Sequence, residues 1–151
     1  MGAMVQVVVV LVLAAVAGGV AAVLRHRGVD DPDQGPSYAI PSHLDRADFV
    51  RPDAPWLVAV FSSSTCLACQ GTWAKAELLE SEVVAVQEIE AVEGKAIHDR
   101  YGVDSVPMVL VVDAEGVVQR NFVGEPTATD LWAAVAELRE PGTVPPSCTH
   151  D

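Results

Sequence analysis

Charge of either sign is missing from the first 24 residues, and basic charge is scarce after them. Nine Lys and Arg stand against 21 Asp and Glu, a formal net charge of −12. A chain so poor in cations repels phosphate backbones and anionic headgroups, which excludes nucleic acid as a partner. Aromatic residues make up only 5% of the chain. Trp56, Trp73 and Trp132 are therefore assigned to core or interface packing rather than to a ligand platform. No glycine-rich phosphate loop and no Ser/His/Asp pattern is visible, so neither nucleotide chemistry nor a serine nucleophile is indicated. Cysteine is sparse too: Cys66, Cys69 and Cys148 are present, with no second C-x-x-C and no H-x(3–5)-H.

What is present begins with that uncharged opening. The 151 residues are one domain's worth of chain plus an extra segment. Val7 to Leu24 is an unbroken run of Val, Leu, Ala and Gly. As a helix, residues 4–24 would span about 31 Å, the thickness of a hydrocarbon core of about 30 Å, and they are read as a transmembrane anchor contacting the lipid bilayer. A cleaved signal peptide would carry a basic n-region and a shorter apolar run. Here no Lys or Arg precedes the run, and Arg25-His26-Arg27 follow it. A core helix would need a polar face for water, and this one has none.

The two flanking arginines place the soluble part in the cytoplasm by the positive-inside rule, as a single-pass protein of the cell membrane. The opposite, extracytoplasmic orientation also suits cysteine pairs. Without Arg25 and Arg27, seven basic side chains face 21 acidic ones, so the soluble part stands at −14. The expected division is an anchor with its basic flank over residues 1–27, an acidic Pro/Gly linker over 28–41, a folded domain over 42–140 and a flexible tail over 141–151.

The folded domain alternates element types. Leu44 to Val50 reads as a short helix capped by Ser42 and ended by Pro52 and Pro55. Trp56 to Phe61 is an apolar run of strand length, as expected of a strand buried on both faces. The C-x-x-C helix follows, with Thr65 or Ser64 as its N-cap and Leu67, Gly71, Ala74 and Leu78 as an inward stripe. Val83 to Ile89 is a second strand, and Gly94 to Tyr101 a helix closed by Gly102. Pro107 to Val112 and Val117 to Phe122 are joined by an acidic turn ending at Gly116, which predicts a hairpin. Thr127 opens a last helix with Leu131, Ala134, Val135 and Leu138 on one face. A β-α-β crossover followed by a hairpin and a helix gives an α/β fold with a mixed sheet and helices on both faces.

Ser62-Ser63-Ser64-Thr65-Cys66-Leu67-Ala68-Cys69-Gln70 is the stretch that carries chemistry. In the first turn of a helix, residues i and i+3 share one face, so Cys66 can be exposed at the tip while Cys69 lies deeper, within disulfide reach. Unsatisfied N–H groups and the positive dipole end favour an anion there, which lowers the pKa of the first thiol. Cys66 is the expected nucleophile. Cys69 is the expected resolving thiol, releasing a partner from the mixed disulfide. Half of a zinc site uses the same spacing but would need two further ligands.

From about Ser37 to Glu140 the chain resembles the thioredoxin family. The resemblance rests on the order of elements around C-x-x-C and on Tyr101-Gly102-Val103-Asp104-Ser105-Val106-Pro107, which leads into a hairpin closing at Gly124. It implies a thioredoxin-like fold, a cis peptide bond at Pro107, and a groove beside the cysteines where the adjoining backbone holds an extended substrate segment. Thr65 stands where the family has tryptophan, and Leu67-Ala68 where it has Gly-Pro. Val60 occupies the place of a buried carboxylate that assists the second cysteine, and Ala74 that of a helix-kinking proline. Glu90, near the end of its strand, is the candidate for the missing proton acceptor.

The expected function is thus a membrane-anchored, divergent thiol–disulfide oxidoreductase, exchanging electrons with protein thiols and disulfides of a redox partner at the membrane. It requires no dissociable cofactor and no metal, because the sulfurs carry the electrons. Two other readings use the same residues: a Cu(I) module with Cys148 or Met108 as third ligand, and a redox-silent adaptor that only binds in the groove. Cys148 could cap the dithiol, pair with another chain or stay a free thiol. His43 and His98 are read as surface residues.

Overall fold

The computed structural model describes residues 38–143 and, ahead of them, Gln6 alone. All of the expected anchor but Gln6, residues 28–37 of the linker, and the tail from residue 144, with Cys148, lie outside the described residues. Among the described residues no helix is long and apolar enough to cross a membrane.

A four-stranded sheet carries the domain. β1 (Trp56–Ser62) is buried from its second residue onward, because neighbours cover both its faces. β2 (Val84–Glu90) runs parallel to it, with Trp56 opposite Val84 and Ser62 opposite Glu90. β3 (Met108–Val112) is antiparallel to β1, and β4 (Val118–Val123) antiparallel to β3, in the order β2-β1-β3-β4. Parallel neighbours cannot be joined by a tight turn. The crossover between β1 and β2 is α1 (Leu67–Ala76), extended by a 3₁₀ turn, Glu77–Leu79. α2 (Lys95–Tyr101) follows β2 and stops at Gly102, whose φ of 65° only glycine adopts at little cost. α3 (Ala128–Arg139) closes the domain, capped by the Thr127 hydroxyl on Asp130 N at 3.1 Å.

Alternation along the strands makes two core layers. Val58, Val60, Val109 and Val111 pack with Ala76 of α1 and with Leu131 and Val135 of α3. Leu57, Ala59, Phe61, Met108, Leu110 and Val112 pack on the other face with Leu44, Phe49 and, from α2, Ile97 and Tyr101. Helices therefore cover both faces, as the order of elements implied. Strand limits shift by one residue from those expected for β2 and β4.

Three expectations are corrected. The helix over Leu44 to Val50 is only one 3₁₀ turn, Arg46–Asp48, capped by Asp45 rather than by Ser42. The Ser42 carbonyl is taken by Val118 N at 3.0 Å, and Leu44 N bonds Gly116 O at 2.8 Å, which keeps this stretch extended along the hairpin. The inward stripe of α1 is out of phase. Leu67 and Leu78 are 81% and 68% exposed and Ala74 is exposed as well, whereas Cys69, Thr72 and Ala76 are buried. Cys69, Thr72 and Ala76 follow one another at i, i+3 and i+7, and this stripe of small residues, with Ala76 packed on Val58 and Val60, is the face that meets the sheet.

His98 is the third correction. It is buried, with Nδ1 3.2 Å from Val103 O, Nε2 3.0 Å from Ile89 O, and its ring edge-on to Phe61 at 5.0 Å. It ties the end of β2 to the segment leading to Pro107. Of the tryptophans, Trp56 and Trp73 pack against the core, while Trp132 is 41% exposed and donates to Lys75 O at 3.0 Å. A His98→Leu variant removes the ring N–H from this pair of carbonyls, and we expect it to lose about 1–3 kcal/mol of unfolding free energy, read by urea titration. An unchanged midpoint would contradict the role of the ring.

Candidate active site

Strand directions bring the chemistry to one end of the sheet. Because β1 and β2 are parallel, Ser62 ends beside Glu90. Because β1 and β3 are antiparallel, Phe61 lies opposite Met108, the residue that follows Pro107. The Val106–Pro107 peptide bond is cis. Pro107 O accepts Gly124 N at 2.9 Å, which fastens the start of β3 to the loop after β4.

From Ser62 the chain turns through Ser63, whose carbonyl accepts Cys66 N at 3.0 Å, into α1. The N-cap is Cys66 itself, its Sγ accepting Cys69 N at 3.1 Å. That replaces the expected Thr65 or Ser64 cap; the Thr65 hydroxyl pairs with Ser63 Oγ at 3.1 Å instead. A sulfur in the capping position faces the helix's free N–H groups, where negative charge is stabilised. Cys66 and Cys69 are disulfide-bonded, with Cα atoms 5.3 Å apart. The two are unequal: Cys66 is half-buried, Cys69 only 1% exposed. One sulfur can be approached from outside and the other cannot.

Glu90 does not hydrogen-bond either cysteine. Its carboxylate accepts Ser64 N at 2.9 Å, Val92 N at 2.7 Å and Glu93 N at 3.2 Å. The bond from Ser64 N, then those from Val92 N and Glu93 N, hold the carboxyl below its ordinary value of 4.5. Such a group is a clasp on the cysteine loop and a poor base. Ala91 N, donating to Ser62 O at 2.9 Å, closes the same junction.

On the other flank, Lys75 of α1 pairs with Glu125 at 2.5 Å and donates to Pro126 O at 3.0 Å. The helix carrying Cys69 is thereby tied to the loop that holds Pro107. Val60, where the resemblance implies a carboxylate, is fully buried among apolar side chains. Met108 belongs to the core layer on the opposite face of the sheet from α1, so it is not assembled with the cysteines as a third metal ligand. Among the described residues no group of three or more His, Cys, Asp or Glu could hold a metal ion.

Sequence reasoning passed over Ser62. It is 1% exposed, and its hydroxyl has no hydrogen-bond partner among the described residues. The available signal was a hydroxyl residue ending an otherwise wholly apolar strand.

No family model matches the chain, and no curated protein matches it in sequence. Solved structures do. The short form of thioredoxin f from spinach chloroplast matches at 17% identity and a TM-score of 0.50, over 69% of this chain and 100% of that one. The germline-specific thioredoxin Deadhead of Drosophila melanogaster matches at 21% identity and a TM-score of 0.50, over 58% of this chain and 84% of that one. A malarial protein matches at 14% identity and a TM-score of 0.50, over 55% and 96%. The chain has the thioredoxin fold.

The Glu90 clasp has a pH signature. With its carboxyl lowered in the folded state, its stabilisation is complete above the ordinary value of 4.5 and fades as pH falls through the lowered value. A Glu90→Gln variant should therefore melt below wild type at pH 7, with the gap shrinking toward pH 3. A gap that is constant across this range in calorimetric melts would contradict the assignment.

Proposed function

We propose that this protein is a membrane-anchored thiol–disulfide oxidoreductase that exchanges electrons with protein thiols and disulfides through Cys66 and Cys69, with cis-Pro107 lining the groove for the client segment. The observation that carries the reading is the asymmetric disulfide at the start of α1, with a reachable sulfur at the helix cap and a shielded one a turn deeper. A client thiolate approaches Cys66, and its electron pair forms a mixed disulfide as the Cys66–Cys69 bond breaks toward Cys69. In reverse, the Cys69 thiolate attacks Cys66 in the mixed disulfide and the client sulfur leaves.

Pro107, directly before the β3 residue that faces Phe61, supports the same reading, since an extended client segment can add along the backbone leading into that strand. Leu67 directly follows Cys66 with its side chain in solvent, an apolar contact for that client. Residues 4–24 would hold the domain at the bilayer, with the domain on the cytoplasmic side, and so raise the effective concentration of membrane-bound partners.

Trapping tests this. Full-length Cys69→Ser should accumulate mixed disulfides with membrane proteins, seen as reductant-sensitive bands on non-reducing gels, and Cys66→Ser should show none. Equal trapping by both variants, or by neither, would overturn the reading. The anchor is tested separately: deleting residues 1–27 should move the protein from the membrane pellet to the supernatant after alkaline extraction.

A further inference from the structure

The hydroxyl of Ser62 is buried and has no hydrogen-bond partner among the described residues. Val58 and Val60 of β1 face α1 and α3, while Leu57, Ala59 and Phe61 face the other layer. Ser62 continues the even-numbered series, so its side chain is directed to the α1 side. On α1, the buried residue of the first turn is Cys69. Ser62 is flanked in the sheet by Glu90, and its predecessor Phe61 faces Met108, next to Pro107. Its oxygen is shut away from water and bonded to nothing among the described residues, a state native proteins tolerate only for a reason.

We propose that Ser62 is a catalytic residue for the Cys69 sulfur: when the disulfide opens, its O–H donates a hydrogen bond to the Cys69 thiolate. This deepens the oxidoreductase reading and rests on it. In the step itself, the thiolate of a client protein dithiol gives an electron pair to Cys66 Sγ and forms the new S–S bond. The pair of the old bond goes to Cys69 Sγ, which becomes a thiolate. The proton of Ser62 stays on its oxygen throughout. The disulfide form thus leaves a buried donor idle and the reduced form satisfies it, which biases the couple toward the dithiol. Val60 is apolar and supplies no carboxylate beneath Cys69, and a neutral donor that lowers the thiol pKa reaches the reactive thiolate by another route.

The test compares full-length wild type, Ser62→Ala and Ser62→Thr in detergent, equilibrated with glutathione couples, with oxidation of the Cys66–Cys69 peptide read by mass spectrometry. Ser62→Ala should shift the equilibrium about tenfold toward the disulfide, ~30 mV more negative. In a Cys66→Ser background, it should raise the Cys69 thiol pKa by about one unit, read by the pH dependence of alkylation. Ser62→Thr, which keeps the hydroxyl, should restore both values. Ser62→Ala should also melt lower than wild type only when reduced; a purely structural serine would move both redox forms alike. If Ser62→Ala does not fold, Ser62→Val against Ser62→Thr, alike in shape and different in the hydroxyl, carries the comparison. Wild-type potential and pKa in the hydroxyl-free variants overturn the role of Ser62 alone. Failure of the wild type to exchange with glutathione at any ratio overturns the oxidoreductase reading and this inference together.

Discussion

Everything at the site depends on where β1 stops. As one of the two inner strands it is bonded on both sides, to β2 in parallel as far as Ser62 and to β3 in antiparallel as far as Phe61, so its end has a fixed neighbour on each. The chain that leaves it must turn at once into α1, because the crossover has to return over the same face. Glu90 grips that turn from one side through Ser64 N, and on the other Pro107 is held through Gly124. The cysteines are placed by strand register first and by helix geometry second.

The electrostatics are local for the same reason. The −14 carried by residues 28–151 would, as a uniform charge, oppose any thiolate. Charges more than about 8 Å away are largely screened at physiological ionic strength, whereas the Cys69 N–H in the first turn of α1 donates to Cys66 Sγ at 3.1 Å. The nearby carboxylate of Glu90 is occupied by three backbone donors, which spread its charge along the loop. Contact outweighs net charge, so an acidic surface and an ionisable cysteine coexist in one small domain.

The order of elements, the sheet's two-sided burial and the pairing of Cys66 with Cys69 were legible because each rests on runs, punctuation or spacing that survive in any context. The phase of α1 was not. Leu67, Gly71, Ala74 and Leu78 look like an apolar face, but the smaller Cys69, Thr72 and Ala76 form the face that packs on the sheet. His98 reads as a polar surface residue until two carbonyls from separate segments converge on its ring. Ser62 and Glu90 were hidden for a related cause: their roles arise from adjacency across strands, which a linear reading does not display.

The central claim is that the helix-end sulfur is the reactive one and its partner is shielded. It is tested most directly by reducing the full-length protein and pulsing it with limiting iodoacetamide at pH 7, then locating the label by peptide mass spectrometry. The account predicts that Cys66 is labelled first, about tenfold or more faster than Cys148, with Cys69 last. Equal labelling of the three cysteines, or Cys69 ahead of Cys66, would contradict it.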